Sequence, residues 1–275
     1  MAGPHPEDAR LDQPATADWP FFLSLSILGG AYVLLIAAML TAEALYTSPA
    51  HLLQGLADPA IRYAIWLSLI SSSISALLSV WAAVPLGYLL ARFQFPGRRL
   101  IDVLLDVPIV LPPLVVGLCL LILFQTPPGR LIEQFIPVTY AIPSVILAQF
   151  SVACAFAVRV TRATFEQIPR RREEVAMTLG CSRSQAFWRV TLPEARRGVV
   201  AAFILAWARS LGEFGPILVF SGATRFRTEV LSTTVFLELS VGDLQGALAV
   251  SLLMVAAAMI VLVIVRVYGG EKGPA

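Results

Sequence analysis

The chain has 275 residues, 57% of them hydrophobic and only 14% charged, with a mean hydropathy of +0.79. A soluble domain carries about 25% charged residues, and a particle of this size has too little interior to hide so much apolar surface from water, so the bilayer must solvate much of it. Twenty basic against eighteen acidic residues offer no concentrated basic face for a nucleic acid. The only lysine is Lys272, so no Gly-x-x-x-x-Gly-Lys phosphate loop exists and any ATP hydrolysis belongs to another subunit.

Residues 1–20 hold Glu7, Asp8, Asp12 and Asp18 with four prolines and one basic residue, the composition of a solvated tail. A secretory signal needs a basic start and a shorter apolar core, so the run after Trp19 reads as a retained membrane helix. Six apolar stretches follow, at 21–45, 61–91, 103–124, 140–160, 199–221 and 244–267, each near or above the ~20 residues that a spanning helix requires. Strands would need alternating segments of about ten residues, so the expected fold is an all-α integral membrane protein with six transmembrane helices.

In the second stretch Ser68, Ser72, Ser75 and Ser79 recur every three or four residues and share one helix face. Such a stripe allows close helix packing or lines an anion path. The third carries Pro108, Pro112 and Pro113, which remove backbone donors, so the helix must kink or break there. Interruptions of this kind occur beside transport paths and as plain kinks, which leaves both readings open for Pro112 and Pro113.

The connection at 161–198 is far longer than a turn between helices needs. Pro169 suits a first helical turn and Gly180 the position just past a helix end, which makes Arg170–Leu179 a short helix. Ser182 and Gln185 fit a capping box that starts a second short helix with Phe187 and Trp188, before Pro193 prevents simple continuation. Two large aromatics between Arg183 and Arg189 suit either a docking surface or an interfacial helix with its rings among lipid headgroups.

Arg209 lies ten residues into the fifth stretch, about 15 Å deep by helical rise, and Glu213 is one turn further. Ionisable groups at that depth face a bundle interior or a water-filled cavity. They form a neutralised structural pair or line the path.

Arginine placement orients the whole. Arg92, Arg98 and Arg99 in the second connection and nine arginines from Arg159 to Arg197 in the fourth stand against Arg62, Arg130, Arg225 and Arg227 in the other three. This puts both termini, the tail at 268–275 and the long loop on the cytoplasmic side. Cys119, Cys154 and Cys181 form no CxxC pair, and His5 and His51 stand near none of them, so neither a disulfide framework nor a metal site is expected.

Glu174-Val175-Ala176, three residues, Gly180, nine residues, Val190, one residue, then Leu192-Pro193 resembles the EAA loop of ATP-binding-cassette importer permeases of type I. The family pattern has Ala and Ile where this chain has Val175 and Val190. The resemblance implies that Glu174, Ala176, Gly180, Ser184, Phe187, Trp188, Arg189, Leu192 and Pro193 belong to a coupling helix region seated in an ATPase subunit. It also implies a homodimer with two such ATPases, which bind ATP and Mg, and an extracytoplasmic substrate-binding protein. The chain itself is then no enzyme and holds no cofactor.

Residues 106–117 (DVPIVLPPLVVG) and 208–222 (ARSLGEFGPILVFSG), with Thr228-Glu229-Val230 and the run 236–253, are similar to segments of molybdate, tungstate and sulfate permeases. That likeness implies an oxyanion, molybdate or tungstate first and sulfate or thiosulfate as the alternative. Beside that likeness, and against the packing, kink and structural-pair readings given above, Ser72, Pro112, Pro113, Arg209, Glu213, Phe214 and Gly215 are the candidate residues of a translocation path. A carrier driven by an ion gradient is the rival from another class; it expects inverted repeats, which the two halves of the sequence do not display.

Overall fold

Small residues decide how closely the helices of this protein approach one another, because between apolar helices in a bilayer contact and hydrogen bonding replace the hydrophobic drive. The computed structural model describes residues 19–47 and 49–269, and every regular element among them is helical. The tails expected at 1–20 and 268–275 lie outside the described residues except where they run into the first and last helices.

Two compact units are present, Met1–Ser48 and Pro49–Ala275. The first contains α1 (Trp19–Tyr46), a helix of 28 residues with Glu43 as its one charged residue. The second contains α2 (Pro49–Ala57), α3 (Pro59–Arg92), α4 (Arg98–Val110), α5 (Pro113–Gln125), α6 (Pro127–Phe135), α7 (Ile142–Gln167), α8 (Arg170–Thr178) and α9 (Arg183–Ala186). A π-helical turn at Phe187–Thr191 leads into α10 (Leu192–Leu211), followed by α11 (Gly215–Phe220), α12 (Leu231–Ser240) and α13 (Leu244–Gly269).

The centre of the second unit is α3 packed on α7 and α10 through Ala76, Ala83, Ala153, Ala157, Ala202 and Ala206, closed by Trp207 and Leu211. The serine stripe of α3 is buried along its whole length. The Ser75 hydroxyl donates to the Ile146 carbonyl at 3.0 Å, and the Ser72 hydroxyl accepts from Gln149 Nε2 at 3.4 Å. The stripe therefore knits α3 to α7.

Among the described residues four helical stretches are long and apolar enough to cross a membrane, Phe21–Tyr46, Pro59–Arg92, Ile142–Gln167 and Leu244–Val263. The expected third span is not one helix: α4 and α5 meet at a bend of 115° and make a fifth crossing only as a pair. Pro108 is carried inside α4, whereas Pro112 caps α5 and Pro113 opens it, so the paired prolines make the break. The expected span 199–221 is also interrupted, since α10 stops at Leu211 and α11 starts at Gly215. Glu194, Arg196, Arg197 and Arg209 leave α10 too charged to pass as an apolar span.

On the long connection α7 runs on to Gln167, so Arg159 and Arg162 are helix residues. They pair with Asp106 and Asp102 of α4 at 2.6 Å each, and these bonds tie α4, which has no buried residue, to the unit.

Candidate functional site

The segment 168–193 is built from short helices with explicit ends. Pro169 is the N-cap of α8, Leu179 its C-cap, and Gly180 follows at φ +91°, a left-handed conformation in which a β-branched residue is strained. Ser182 then opens α9 with a reciprocal capping box: its hydroxyl accepts from the Gln185 amide at 3.3 Å, and Gln185 Oε1 accepts from the Ser182 amide at 2.9 Å. The expected stop at Pro193 does not occur. Leu192 N–H bonds the Phe187 carbonyl, the chain widens into one π turn, and Pro193, which has no N–H to give, sits in the first turn of α10.

The phase of α8 divides its acidic residues. Glu173 and Ala176, three apart, face inward and are buried; Glu174 and Val175 face outward. The Glu173 carboxylate accepts from Arg92 Nε at 2.9 Å and from the Tyr88 hydroxyl at 3.0 Å. Arg92 Nη2 donates to the Ile168 carbonyl, and Arg170 Nη2 to the Ala91 carbonyl, both at 3.0 Å. The Tyr88 ring packs on Phe165, Phe187 and Phe93 with centroids 4.6–5.9 Å apart, and the Arg183 guanidinium lies 5.3 Å from the centre of the Phe93 ring. Arg172 pairs with Glu194 of α10.

The two aromatics expected to share a docking face therefore separate. Phe187 is turned inward onto Tyr88, whereas Trp188 is 64% exposed. Leu179 is 81% and Val175 50% exposed, and with Trp188 they form an outward apolar set among Glu174, Ser184 and Arg189, all three exposed as well. Leu192 is half-buried and Pro193 exposed. Sequence reasoning missed Leu179, Glu173, Arg92 and Tyr88. The burial of Ala176 three residues on from Glu173 carries the signal for the acid.

The path candidates gather at the two helix breaks. A Cβ on Gly215 would lie 2.8 Å from Pro113 Cβ, and a Cβ on Gly117 2.7 Å from Pro216 Cα, so each of α5 and α11 presses a proline onto the other's glycine. Pro112, Pro113 and Gly215 are brought together, with Phe214 adjoining them in the chain. Arg209 Nη1 pairs with Glu213 Oε2 at 2.6 Å; the Glu213 side chain is 1% exposed and the Arg209 side chain 29%. The guanidinium lies 5.9 Å from the centre of the Phe156 ring, and the Ser232 hydroxyl holds the Glu213 carbonyl at 2.7 Å. Ser72 is not part of this group, being buried in the contact of α3 with α7.

Beyond α11 the chain turns through Gly222 and Phe226, both at positive φ, with three successive amides, Arg227 to Glu229, bonded to the Thr224 carbonyl. Glu229 is fully buried; its neighbour Thr234 gives its hydroxyl proton to the Val230 carbonyl at 3.0 Å, and neither carboxylate oxygen of Glu229 has a hydrogen bond of good geometry. Burial pushes this carboxyl up, opposed by Thr234 and Arg225 and reinforced by Glu238 and Asp58. The Glu133 carboxylate is held low instead, first by the Thr139 hydroxyl and then by the amides of Thr139 and Val138 at 2.7 and 3.1 Å. Among the described residues no three His, Cys, Asp or Glu side chains converge to hold a metal ion.

Residues 83–269 match the family model described as binding-protein-dependent transport system inner membrane component. The sulfate transport system permease protein CysT of Escherichia coli (strain K12) is 33% identical over 208 residues, 74% of this chain and 75% of that protein. The molybdate/tungstate transport system permease protein WtpB of Thermococcus kodakarensis is 32% identical over 221 residues, 80% of this chain and 84% of that protein. In fold the chain is similar to a bacterial ABC transporter involved in the import of the acidic polysaccharide alginate, with a TM-score of 0.70 at 17% identity over 92% of this chain and 95% of that one.

Proposed function

The chain belongs to the family of binding-protein-dependent transport system inner membrane components, and from that premise we propose that it is the permease subunit of a type I ATP-binding-cassette importer for an inorganic oxyanion, molybdate or tungstate, with sulfate as the alternative. Relatives that carry these anions in their names support the substrate class. In this reading α4 with α5 and α10 with α11 each complete a crossing, for six in all, and both termini and the segment 168–193 face the cytoplasm.

The observation that carries the proposal is the outward apolar set Val175, Leu179 and Trp188 on a loop whose inner face is keyed to the membrane helices. An apolar anchor with a polar rim is what a protein partner recognises, and the partner is an ATPase subunit. Two permease copies, two ATPases that bind ATP and Mg, and an extracytoplasmic binding protein make the working assembly; the permease itself carries out no chemistry on ATP. Closure of the ATPase pair draws the two loops together and opens the path outward to the anion delivered by the binding protein. Hydrolysis resets it inward.

Along the path Glu213 would repel a dianion unless neutralised, since two unit charges 4 Å apart interact by about 4 kcal/mol even at an effective dielectric of 20. The bond from Arg209 supplies that neutralisation and leaves the partly exposed guanidinium as the group an anion meets. Pro112, Pro113, Phe214 and Gly215, at the meeting of the broken helices, form the moving part of the gate. The test is initial uptake of labelled molybdate into vesicles holding the assembled transporter, with tungstate and sulfate as competitors. Competition by tungstate at far lower concentration than sulfate supports the first assignment, the reverse order supports sulfate, and the absence of uptake of labelled molybdate and of labelled sulfate alike removes the oxyanion reading.

A further inference from the structure

The inner end of α3 is better fastened than its place at the end of a span requires. Arg92 and Glu173 are both nearly inaccessible, with side-chain exposures of 5% and 11%. Burying an ion pair brings a large desolvation cost, so such a pair is weak evidence for stability alone; a role in holding one geometry is its best attested use. Every strong donor here is aimed. Arg92 Nε and the Tyr88 hydroxyl take the two oxygens of Glu173, Arg92 Nη2 takes the Ile168 carbonyl at the exit from α7, and Arg170 reaches back to Ala91 in the last turn of α3. Tyr88 also carries Phe187 of the π turn against its ring. The end of α7, α8 and the π turn thus converge on one turn of one helix, with Ala91, Phe165, Ile168 and Ala195 packed beneath.

That helix extends far beyond this point. α3 has 34 residues, about 50 Å of helix, against a hydrocarbon core of about 30 Å. Its other end is fastened to the first residue of α12 and the segment before it, where Ser68 Oγ accepts from the Leu231 amide at 2.8 Å and the Tyr63 hydroxyl donates to the Arg227 carbonyl at 3.3 Å. One continuous helix, with Pro85 as its single interior proline break in hydrogen bonding, therefore touches both the loop at 168–193 and the segment at 227–231.

We propose that Arg92 and Tyr88 are positioning residues of the transport cycle: by clamping Glu173 they make α8 and the end of α3 move as one piece, so that displacement of the loop reaches the segment Arg227–Leu231 along α3. The proposal rests on the reading of 168–193 as the ATPase-docking loop and adds to it the connection from that loop into the membrane. Glu174, one residue along, faces outward and serves the partner; Glu173 faces inward and serves the transmission. Arg92 contributes a charge and a fork of donors that lysine lacks, and Tyr88 contributes one hydroxyl and a ring.

The test uses the full assembly, permease with its co-purified ATPase subunits, in vesicles with the binding protein and labelled molybdate. The variants are R92Q, E173Q, R92Q/E173Q, Y88F and, on the docking face, W188A. Retained ATPase, basal hydrolysis, hydrolysis stimulated by the loaded binding protein and anions moved per ATP are measured for each. R92Q and E173Q should retain the ATPase and its basal rate while losing about tenfold in stimulation, within the 5- to 150-fold range typical of coupling between sites. R92Q/E173Q should lose as much stimulation as either single variant and no more, as for residues acting as one unit, and Y88F should lose less.

The double variant decides the matter, because it leaves no unpaired buried charge and so avoids the folding defect that R92Q alone risks. If stimulation returns in the double variant, the pair is structural only and the proposal falls. It falls equally if the singles are fully stimulated, or if they shed the ATPase in step with the lost stimulation. Full retention of the ATPase by W188A would count against the docking reading instead, and is distinguishable from all of these.

Discussion

The helical chain is interrupted in two kinds of place, and the two are built differently. Between α8 and α9 the interruption faces outward and is handled by local side chains, with Gly180 at positive φ and the Ser182–Gln185 box satisfying the free amides. At Pro112–Pro113 and at Gly212–Gly215 it lies within apolar sequence, and there the chain uses residues that have no donor to satisfy, or no side chain to place, and packs the broken ends directly on each other. Water-facing ends need caps; membrane-facing ends need close contact, since no solvent completes them. The first kind should fail in function and the second in folding.

The largest effect should come from the packed breaks. Gly215→Val or Gly117→Val puts carbon inside contact distance of a proline in the facing helix, and overpacking of this kind costs about 1–3 kcal/mol or more. Both variants should give little monodisperse protein on size-exclusion chromatography of detergent extracts. A normal yield of either would break the comparison.

Gly180→Val should behave in the opposite way. An added Cβ meets no atom within 4 Å, but φ +91° is strained for a β-branched residue by about 1–3 kcal/mol. The protein should insert and retain its melting temperature within a few degrees, while anion uptake and stimulated ATP hydrolysis fall together. Full coupled activity would remove the docking role of the loop.

Arg209→Gln and Glu213→Gln sharpen the contrast within the fifth crossing. Arg209→Gln strands a fully buried carboxylate, whereas Glu213→Gln leaves a partly exposed cation that an anion still approaches. Initial uptake at matched expression should fall further in Arg209→Gln. Equal losses rescued by exchanging the two charges would make the pair structural and take it out of the path.

The smallest effect concerns pH. The Glu229 carboxyl is raised by burial, so its contribution to stability is fully present below the unfolded value of about 4.3 and is lost as pH rises through the raised folded value. Glu229→Gln should therefore raise the melting temperature near pH 8, with a gain that shrinks towards pH 5. Glu133, held low by Thr139, has the opposite sign: its contribution is present above about 4.3 and disappears as pH falls through the lowered folded value. Glu133→Gln should lower the melting temperature at neutral pH by a small amount. Melting curves at both pH values check the two signs.

What was legible in the sequence follows the same division. Gly180, the Ser182–Gln185 box and the start of α8 were readable because caps are local in sequence. The serine stripe gave the packing face of α3 because helical phase fixes it over a long run. The breaks were only half legible: Pro112 and Pro113 announced a disturbance, but neither the bend of 115° nor the contact of α5 with α11 beside it is contained in a local pattern. The end of α10 at Leu211 had no proline beside it and passed for continuous helix.

The site shows a further gap. The EAA-like spacing pointed to Glu174, and the helix turned its neighbour Glu173 towards Arg92. In the sequence Arg92 is one orienting charge of a connection among others, because a pairing across 81 positions leaves no local trace. Phe187 and Trp188 look equivalent in composition, but neighbours on a helical turn project in different directions, and here Phe187 goes inward onto Tyr88 and Trp188 out.

The most direct measurement of the central claim is uptake of labelled molybdate by vesicles that hold the permease and its ATPase, with the binding protein outside and either ATP or an ion gradient as the only source of energy. Accumulation that requires enclosed ATP and the binding protein, and that collapses in Gly180→Val, is the expected result. Accumulation that continues without ATP while the ion gradient persists would contradict it.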